Sequence, residues 1–162
     1  AMRKRTVRKI WQTVNPIEHA MAGASITPRD KLDKLLAREL SSLEAIVKGH
    51  GDLVSWNDLV NANNLAEELA LMGVGKPEVM PVVIECQQHL VEAARRFQAT
   101  GKMGLSGPAI QAMRSMLEYH DLQRASIARS VYEEAIRKVT AKVKSGATSV
   151  TDLWETLGEP RA

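Results

Sequence analysis

Residues 77–97, Pro77-Glu78-Val79-Met80-Pro81-Val82-Val83-Ile84-Glu85-Cys86-Gln87-Gln88-His89-Leu90-Val91-Glu92-Ala93-Ala94-Arg95-Arg96-Phe97, decide the fold class. Val79, Val82, Val83, Cys86, Leu90, Ala93, Ala94 and Phe97 recur at intervals of three and four, the spacing that gathers side chains on one face of an α-helix. A strand would alternate at every second residue, and no such alternation is present. The segment reads as a helix from near Pro77 to about Ala99, stopped by Gly101. Pro81 is either tolerated in the first turn or moves the start forward.

The same period extends in both directions. Upstream, Thr27-Pro28 with Asp30 reads as an N-cap, an N1 proline and a capping box. Leu32, Leu35, Leu36, Leu40, Leu43, Ile46 and Val47 follow as one stripe, closed by Gly49. Ser55 with Asp58 repeats the capping pattern ahead of a second helix carrying Trp56, Leu59, Ala62, Leu65, Ala66, Leu69 and Met72. Downstream, Ile110, Met113, Met116 and Leu117 mark a fourth helix, and Ser130 with Glu133 opens a fifth that stops at Gly146. The last two either form one long element or break near Ser126 to Ser130. A short helix capped near Ser149 to Asp152 closes the series. The expectation is an all-α fold: a single-domain antiparallel bundle of about five main helices with short terminal helices. Residues 1–26 form a basic arm and a short turn, 27–146 the bundle, and 147–162 a docking helix and tail.

Composition fits that reading. Of 162 residues, 44% are hydrophobic and 25% charged, as in an ordinary globular domain. Only six are aromatic, so Leu, Val, Ile, Ala and Met must build the core. The net charge of +3 is unevenly placed: five of the 22 Lys and Arg lie in residues 1–9, which contain no acid. That leaves 17 against 19 Asp and Glu elsewhere, a net of −2. A single cysteine, Cys86, admits no internal disulfide and no cysteine-based zinc site, which suits a reducing, cytoplasmic setting. No apolar run of membrane-spanning length follows the basic start, so no membrane partner is expected. No cofactor is expected either.

Two terminal segments invite partners. Arg3, Lys4, Arg5, Arg8 and Lys9 can neutralise phosphates while Trp11 stacks on a base, a nucleic-acid reading of the arm. Val7, Ile10, Trp11 and Val14 also share a helical face, so the same stretch can dock on the bundle and leave its charges in water, the commoner fate of such a run. Near the other end, Val150, Leu153, Trp154 and Leu157 share a face of about two turns, too short to be stable alone. It docks on its own bundle, on a second copy, or on another protein as a helix in a groove.

Chemistry-bearing motifs are sparse. Gly73-Val74-Gly75-Lys76-Pro77 lacks the spacing and the hydroxyl of a P-loop, and glycine termination with proline initiation explains it. Glu85 with His89, and Glu118 with His120 and Asp121, are the candidate metal-binding or hydrolytic residues. The Glu-x-x-His pairs of carboxylate-bridged bundles do not occur. His120 continues the Met113–Leu117 stripe, which favours a hydrogen-bonded core histidine. Cys86 lies on an apolar stripe, where a thiol behaves as a small hydrophobe.

Asn15-Pro16-Ile17-Glu18-His19-Ala20, Gly107-Pro108-Ala109-Ile110-Gln111-Ala112-Met113-Arg114 and Glu118-Tyr119-His120-Asp121-Leu122-Gln123-Arg124 resemble small uncharacterised helical proteins of proteobacterial genomes and their phages. The resemblance covers residues 3 to about 144 and implies a mobile-element origin without an activity. The expected function is that of a non-enzymatic interaction protein, self-associating, with its basic arm available to nucleic acid. A metal-binding or hydrolytic bundle, and a structural partner in a larger bacterial or phage complex, are the alternatives.

Overall fold

The computed structural model describes residues 25–145. Residues 77–97 lie within one helix, and the described chain runs α1 (Arg29–Val47), α2 (Leu53–Leu71), α3 (Lys76–Thr100), α4 (Gly107–Ala125) and α5 (Arg129–Ser145). The expected stripe of α3 is the buried one: Val79, Val83, Cys86, Leu90, Ala93 and Ala94 are inside, with Val82 and Phe97 partly covered. Pro81 sits within α3 and is exposed, so the helix starts at Lys76 and runs through it. Its missing N–H costs one hydrogen bond close to the N-terminus. Gly75 flanks that start in the left-handed conformation, φ 69°, which a Cβ would strain.

Short connections fold each helix back on its predecessor, giving an all-α bundle with α2 at its centre. α2 packs against α1, α3, α4 and α5, and α4 packs against α1, α2 and α3. Leu59 and Ala66 of α2 join Val83, Cys86 and Leu90 of α3 and Met113, Met116 and Leu117 of α4 in one buried core cluster. Alanines along α2, α3 and α4 let the helix axes approach closely. Trp56 places its indole in this core and donates Nε1–H to the Leu90 carbonyl at 2.9 Å. That bond removes the cost of burying a polar edge. Among the described residues no helix is long and apolar enough to cross a membrane.

Three expected caps are differently built. At α1 the flanking residue is Pro28, with φ −58° and ψ 144°, and no side chain caps the helix. The Thr27–Asp30 box does not form, although Asp30 still places a negative charge in the first turn. At α2 the cap is Asp52, whose Oδ1 accepts from the Ser55 N–H at 2.9 Å and the Ser55 hydroxyl at 3.1 Å. Those bonds hold the Asp52 carboxyl below its ordinary value. Asp58, assigned by sequence to the box, instead accepts from Ser42 Oγ of α1 at 2.7 Å. At α5 the helix already begins at Arg129, so Ser130 lies inside its first turn, and Glu133 accepts from Arg129 Nε at 2.9 Å.

α4 and α5 are separate helices. The break is fixed from outside: the Arg129 N–H donates to the Ser25 carbonyl at 2.9 Å, and Ile26 forms an isolated antiparallel bridge with Ala128. The start of the described chain is thereby tied to the α4–α5 corner.

Gly51, in the α1–α2 turn, has no room for a side chain: a Cβ there would lie 2.5 Å from Ile46 Cγ1 and 2.8 Å from Ile46 Cα. Gly51→Ala is therefore expected to lower stability by about 1–3 kcal/mol through overpacking against backbone. Gly107→Ala, with nothing within 4 Å of the added carbon, is expected to change it by less than about 0.5 kcal/mol. Paired chemical denaturation curves check the contrast.

Candidate functional site

The last turns of α4 read Tyr119-His120-Asp121-Leu122-Gln123-Arg124, and helical geometry deals them to three directions. His120, Gln123 and Arg124 point inward and are 0%, 3% and 1% exposed. Asp121 faces α1, where both carboxylate oxygens accept from Arg29 Nη2 at 2.9 and 3.0 Å. Tyr119 and Leu122 face the beginning of α3. The result is a buried polar layer with an apolar cleft beside it.

Arg124 is the charged member of the layer. Its Nη1 and Nη2 donate to the two oxygens of Glu39 on α1 at 2.9 and 2.7 Å, a bidentate pair closed almost entirely to water. Burial raises the Glu39 carboxyl above its ordinary value, and Arg124 opposes that rise. Burial pulls the guanidinium down, but the hydrogen bond and charge of Glu39 win and leave it above its ordinary value. A second buried carboxylate, Glu68 of α2, lies 2.8 Å from Lys142 Nζ and ties α5 to the centre of the bundle.

Gln123 organises the rest. Its Nε2 donates to the Ala66 carbonyl of α2 at 3.1 Å and to the Val74 carbonyl of the α2–α3 loop at 3.0 Å. Both amide hydrogens are thus engaged, so Oε1 is left as an acceptor for His120 Nδ1 at 3.0 Å. That assignment puts the imidazole proton on Nδ1 and leaves Nε2 a bare acceptor, without a hydrogen-bond partner among the described residues. Burial, reinforced by the nearby charge of Arg124 and opposed by the Gln123 bond, pushes the His120 pKa down to about 3. His120 is a neutral core histidine at physiological pH, with the Tyr132 ring 6.5 Å away.

The cleft lies over this layer, between the α2–α3 loop, the first turn of α3 and the last turns of α4, and is open to solvent with a volume of about 370 Å³. Val74, Val79, Tyr119 and Leu122 supply its apolar walls, and Gly75, Glu78, Gln123 and Ser126 its polar margin. Leu122 at its wall is 63% exposed, as Ile26 and Val54 are elsewhere on the surface. The volume is at the small end of the roughly 300–1,000 Å³ range of ligand sites.

The candidate metal or hydrolytic residues do not converge. Glu85 and Glu118 are exposed. His89 lies 3.9 Å from Glu92 on its own helix. His120 is buried against Gln123, and Asp121 is turned to Arg29 on another side of α4, so the two neighbours in sequence do not act as a pair. Among the described residues no three His, Cys, Asp or Glu side chains are grouped to hold a metal ion. Cys86 is completely buried, and burial, with the Glu85 charge adding, pushes its thiol up to about 12. The arm residues Arg3, Lys4, Arg5, Arg8, Lys9 and Trp11, and the terminal residues Val150, Leu153, Trp154 and Leu157, lie outside the described residues.

Sequence reasoning missed Gln123, Arg124 and Glu39. A signal existed: Gln123 and Arg124 follow His120 by three and four and extend the Met113–Leu117 stripe, so polar side chains occupy a core face. Comparison with protein-family models, curated proteins and solved structures gives no match.

Two outcomes follow from the polar layer. An unfolded histidine titrates near ~6.5, and His120 in the fold near 3. Between those values the unfolded chain binds one proton more, so this contribution to stability is complete above about pH 6.5 and is lost as pH falls toward 3. His120→Gln is expected to remove up to about 1.4 kcal/mol per pH unit from the slope of unfolding free energy across that window. Urea titrations at a series of pH values measure it. Glu39→Ala leaves Arg124 buried and unpaired, and is expected to lose about 3–5 kcal/mol, much of it restored in the Glu39→Met, Arg124→Leu double variant.

Proposed function

We propose that this chain is a non-enzymatic helical interaction protein, built to dock an apolar side chain in the cleft between α3 and α4 and to meet nucleic acid through its basic arm. The observation that carries the reading is the cleft itself, about 370 Å³, with apolar walls and Leu122 held 63% exposed beside them. Concave apolar surfaces with a few fixed polar groups at the margin are the usual form of a binding site. The polar layer supports the role by holding the walls: Gln123 fixes the α2–α3 loop on one side and α4 on the other.

The charge layout supports the nucleic-acid component. Residues 1–9 carry five cations and no acid, whereas the described residues, with 16 Lys and Arg against 15 Asp and Glu, are nearly neutral. Binding to a polyanion would therefore be confined to one short segment and would depend steeply on salt. Self-association belongs to the same reading, because an apolar cleft accepts a segment of a second copy as readily as a foreign one. The resemblance to small proteobacterial and phage proteins adds no activity, so the reading stands on cleft and charge alone.

Fluorescence anisotropy with a labelled DNA duplex tests the nucleic-acid component. The expected result is binding at low salt whose log–log salt slope falls by up to about 4.5 when Arg3, Lys4, Arg5, Arg8 and Lys9 are all replaced by alanine. Binding that is unmeasurable at low salt, or unchanged in that variant, overturns this component. A strictly monomeric mass by light scattering at high concentration overturns self-association.

A further inference from the structure

We infer that the cleft between α3 and α4 is the seat of this chain's own N-terminal segment, with Trp11 entering the cavity and the surrounding cations meeting an acidic edge. The inference rests on reading the cleft as a docking surface and names its occupant.

Three observations select that segment. The first is where the described chain begins. Ser25 is hydrogen-bonded to Arg129 and Ile26 is bridged to Ala128, two residues beyond Ser126 in the cleft margin. Arg29 is clasped to Asp121, at the level of Leu122 but on another side of α4 from the cleft. The described chain thus begins at the α4–α5 corner, at the end of α4 that carries the cleft. From Ser25 back to Val14 the chain reaches roughly 36–40 Å when extended, several times the ~10–12 Å width of the helix it must round.

The second observation is charge. Glu78 stands at the cleft margin, Glu85 lies two turns further along the same edge of α3, and Glu118 lies one turn before Leu122 on α4. All three are exposed, and none has an ion-pair partner among the described residues, unlike Asp33, Glu44, Asp121, Glu133 and Glu134. Lys76, two residues before Glu78, is the cation nearest to it in sequence. A segment rich in Arg and Lys complements this edge. The terminal segment around Trp154 does not, because residues 146–162 contain Asp152, Glu155 and Glu159 against a single Arg161.

The third is shape. Val7, Ile10, Trp11 and Val14 are spaced to form one apolar face, and the open cleft, about 370 Å³, has room for a large aromatic side chain. Docked in this way, the arm's cations are shared between the acidic edge and water, and a polyanion would have to compete with Glu78, Glu85 and Glu118 for them.

Fluorine NMR of the full chain labelled with 5-fluorotryptophan tests the occupant, since the chain has three tryptophans and Trp11→Phe and Trp154→Phe assign the resonances. Two exposed variants perturb the cleft, Leu122→Lys at the wall and Glu78→Lys at the margin, and an unmoved Trp56 resonance certifies the fold in each. The expected result is that the Trp11 resonance shifts in both variants toward its position in a free peptide of residues 1–14, independently of protein concentration. A Trp11 shift that appears only as concentration and mass rise assigns the cleft to a second copy and overturns the intramolecular seat. If the Trp154 resonance moves instead, the cleft is a docking surface with a different occupant, and the inference fails while the reading beneath it stands. If neither resonance moves, the inference fails, while the reading beneath it, which also admits a foreign partner, stands.

Discussion

Gln123 has both ends of its amide engaged inside the bundle, and each bond depends on the others. Its nitrogen holds the carbonyls of Ala66 and Val74, which belong to the end of α2 and to the loop that follows it. Its oxygen, left no other role, dictates which nitrogen of His120 carries the proton. One side chain therefore sets the distance between α4 and the α2–α3 loop, the tautomer of the buried imidazole, and the separation of the cleft walls. Beside it the Arg124–Glu39 pair connects α4 to α1 at almost the same level. Buried polar contacts of this kind contribute little net stability compared with apolar packing, but a misplaced one is costly, which restricts the helices to one relative placement.

The polar layer lies toward one end of the bundle. Near the other end of α2 and α4 the buried side chains are mostly apolar, Trp56, Leu59, Met113 and Met116 among them, with the Trp56–Leu90 and Ser42–Asp58 hydrogen bonds as directional additions. The gradient divides labour: hydrophobic burial supplies the drive to collapse, and directional bonds fix the corner where α4 turns into α5. The same corner receives Ser25 and Ile26, so the two ends of the described chain's path across α4 are fastened by independent contacts. A binding surface placed over the directional end inherits its precision, because walls held by hydrogen bonds are less free to close than walls held by packing alone.

Much of this fold was legible in the sequence because burial leaves a periodic trace. The α3 stripe and the glycine stops follow from local spacing and backbone freedom, whereas the sequence left one long helix or a break near Ser126 to Ser130 equally open, because the contacts of Ser25 and Ile26 that fix the break come from far along the chain. The caps were less legible. Ser55 with Asp58 satisfies the capping pattern as well as Asp52 does, and only the backbone conformation of the flanking residue, φ −142° and ψ −170° at Asp52, decides between them. The candidate site was hardly legible, since its defining bonds join residues far apart in the chain: Arg124 to Glu39, Gln123 to Ala66 and Val74, Arg29 to Asp121. Single-sequence periodicity places His120 on an inward face but says nothing of which partner awaits it there.

Cys86 sits at the middle of α3 in the apolar core, with no exposed surface and a thiol held far from ionisation. A thiolate-directed reagent cannot reach it without separation of α3 from its neighbours, and it must wait for that opening to occur. The lone cysteine is thus an internal clock for the bundle. At reagent concentrations high enough to outpace reclosing, the rate at which it is labelled under native conditions reads the frequency of core opening, and any ligand that grips α3 and α4 together would slow that clock.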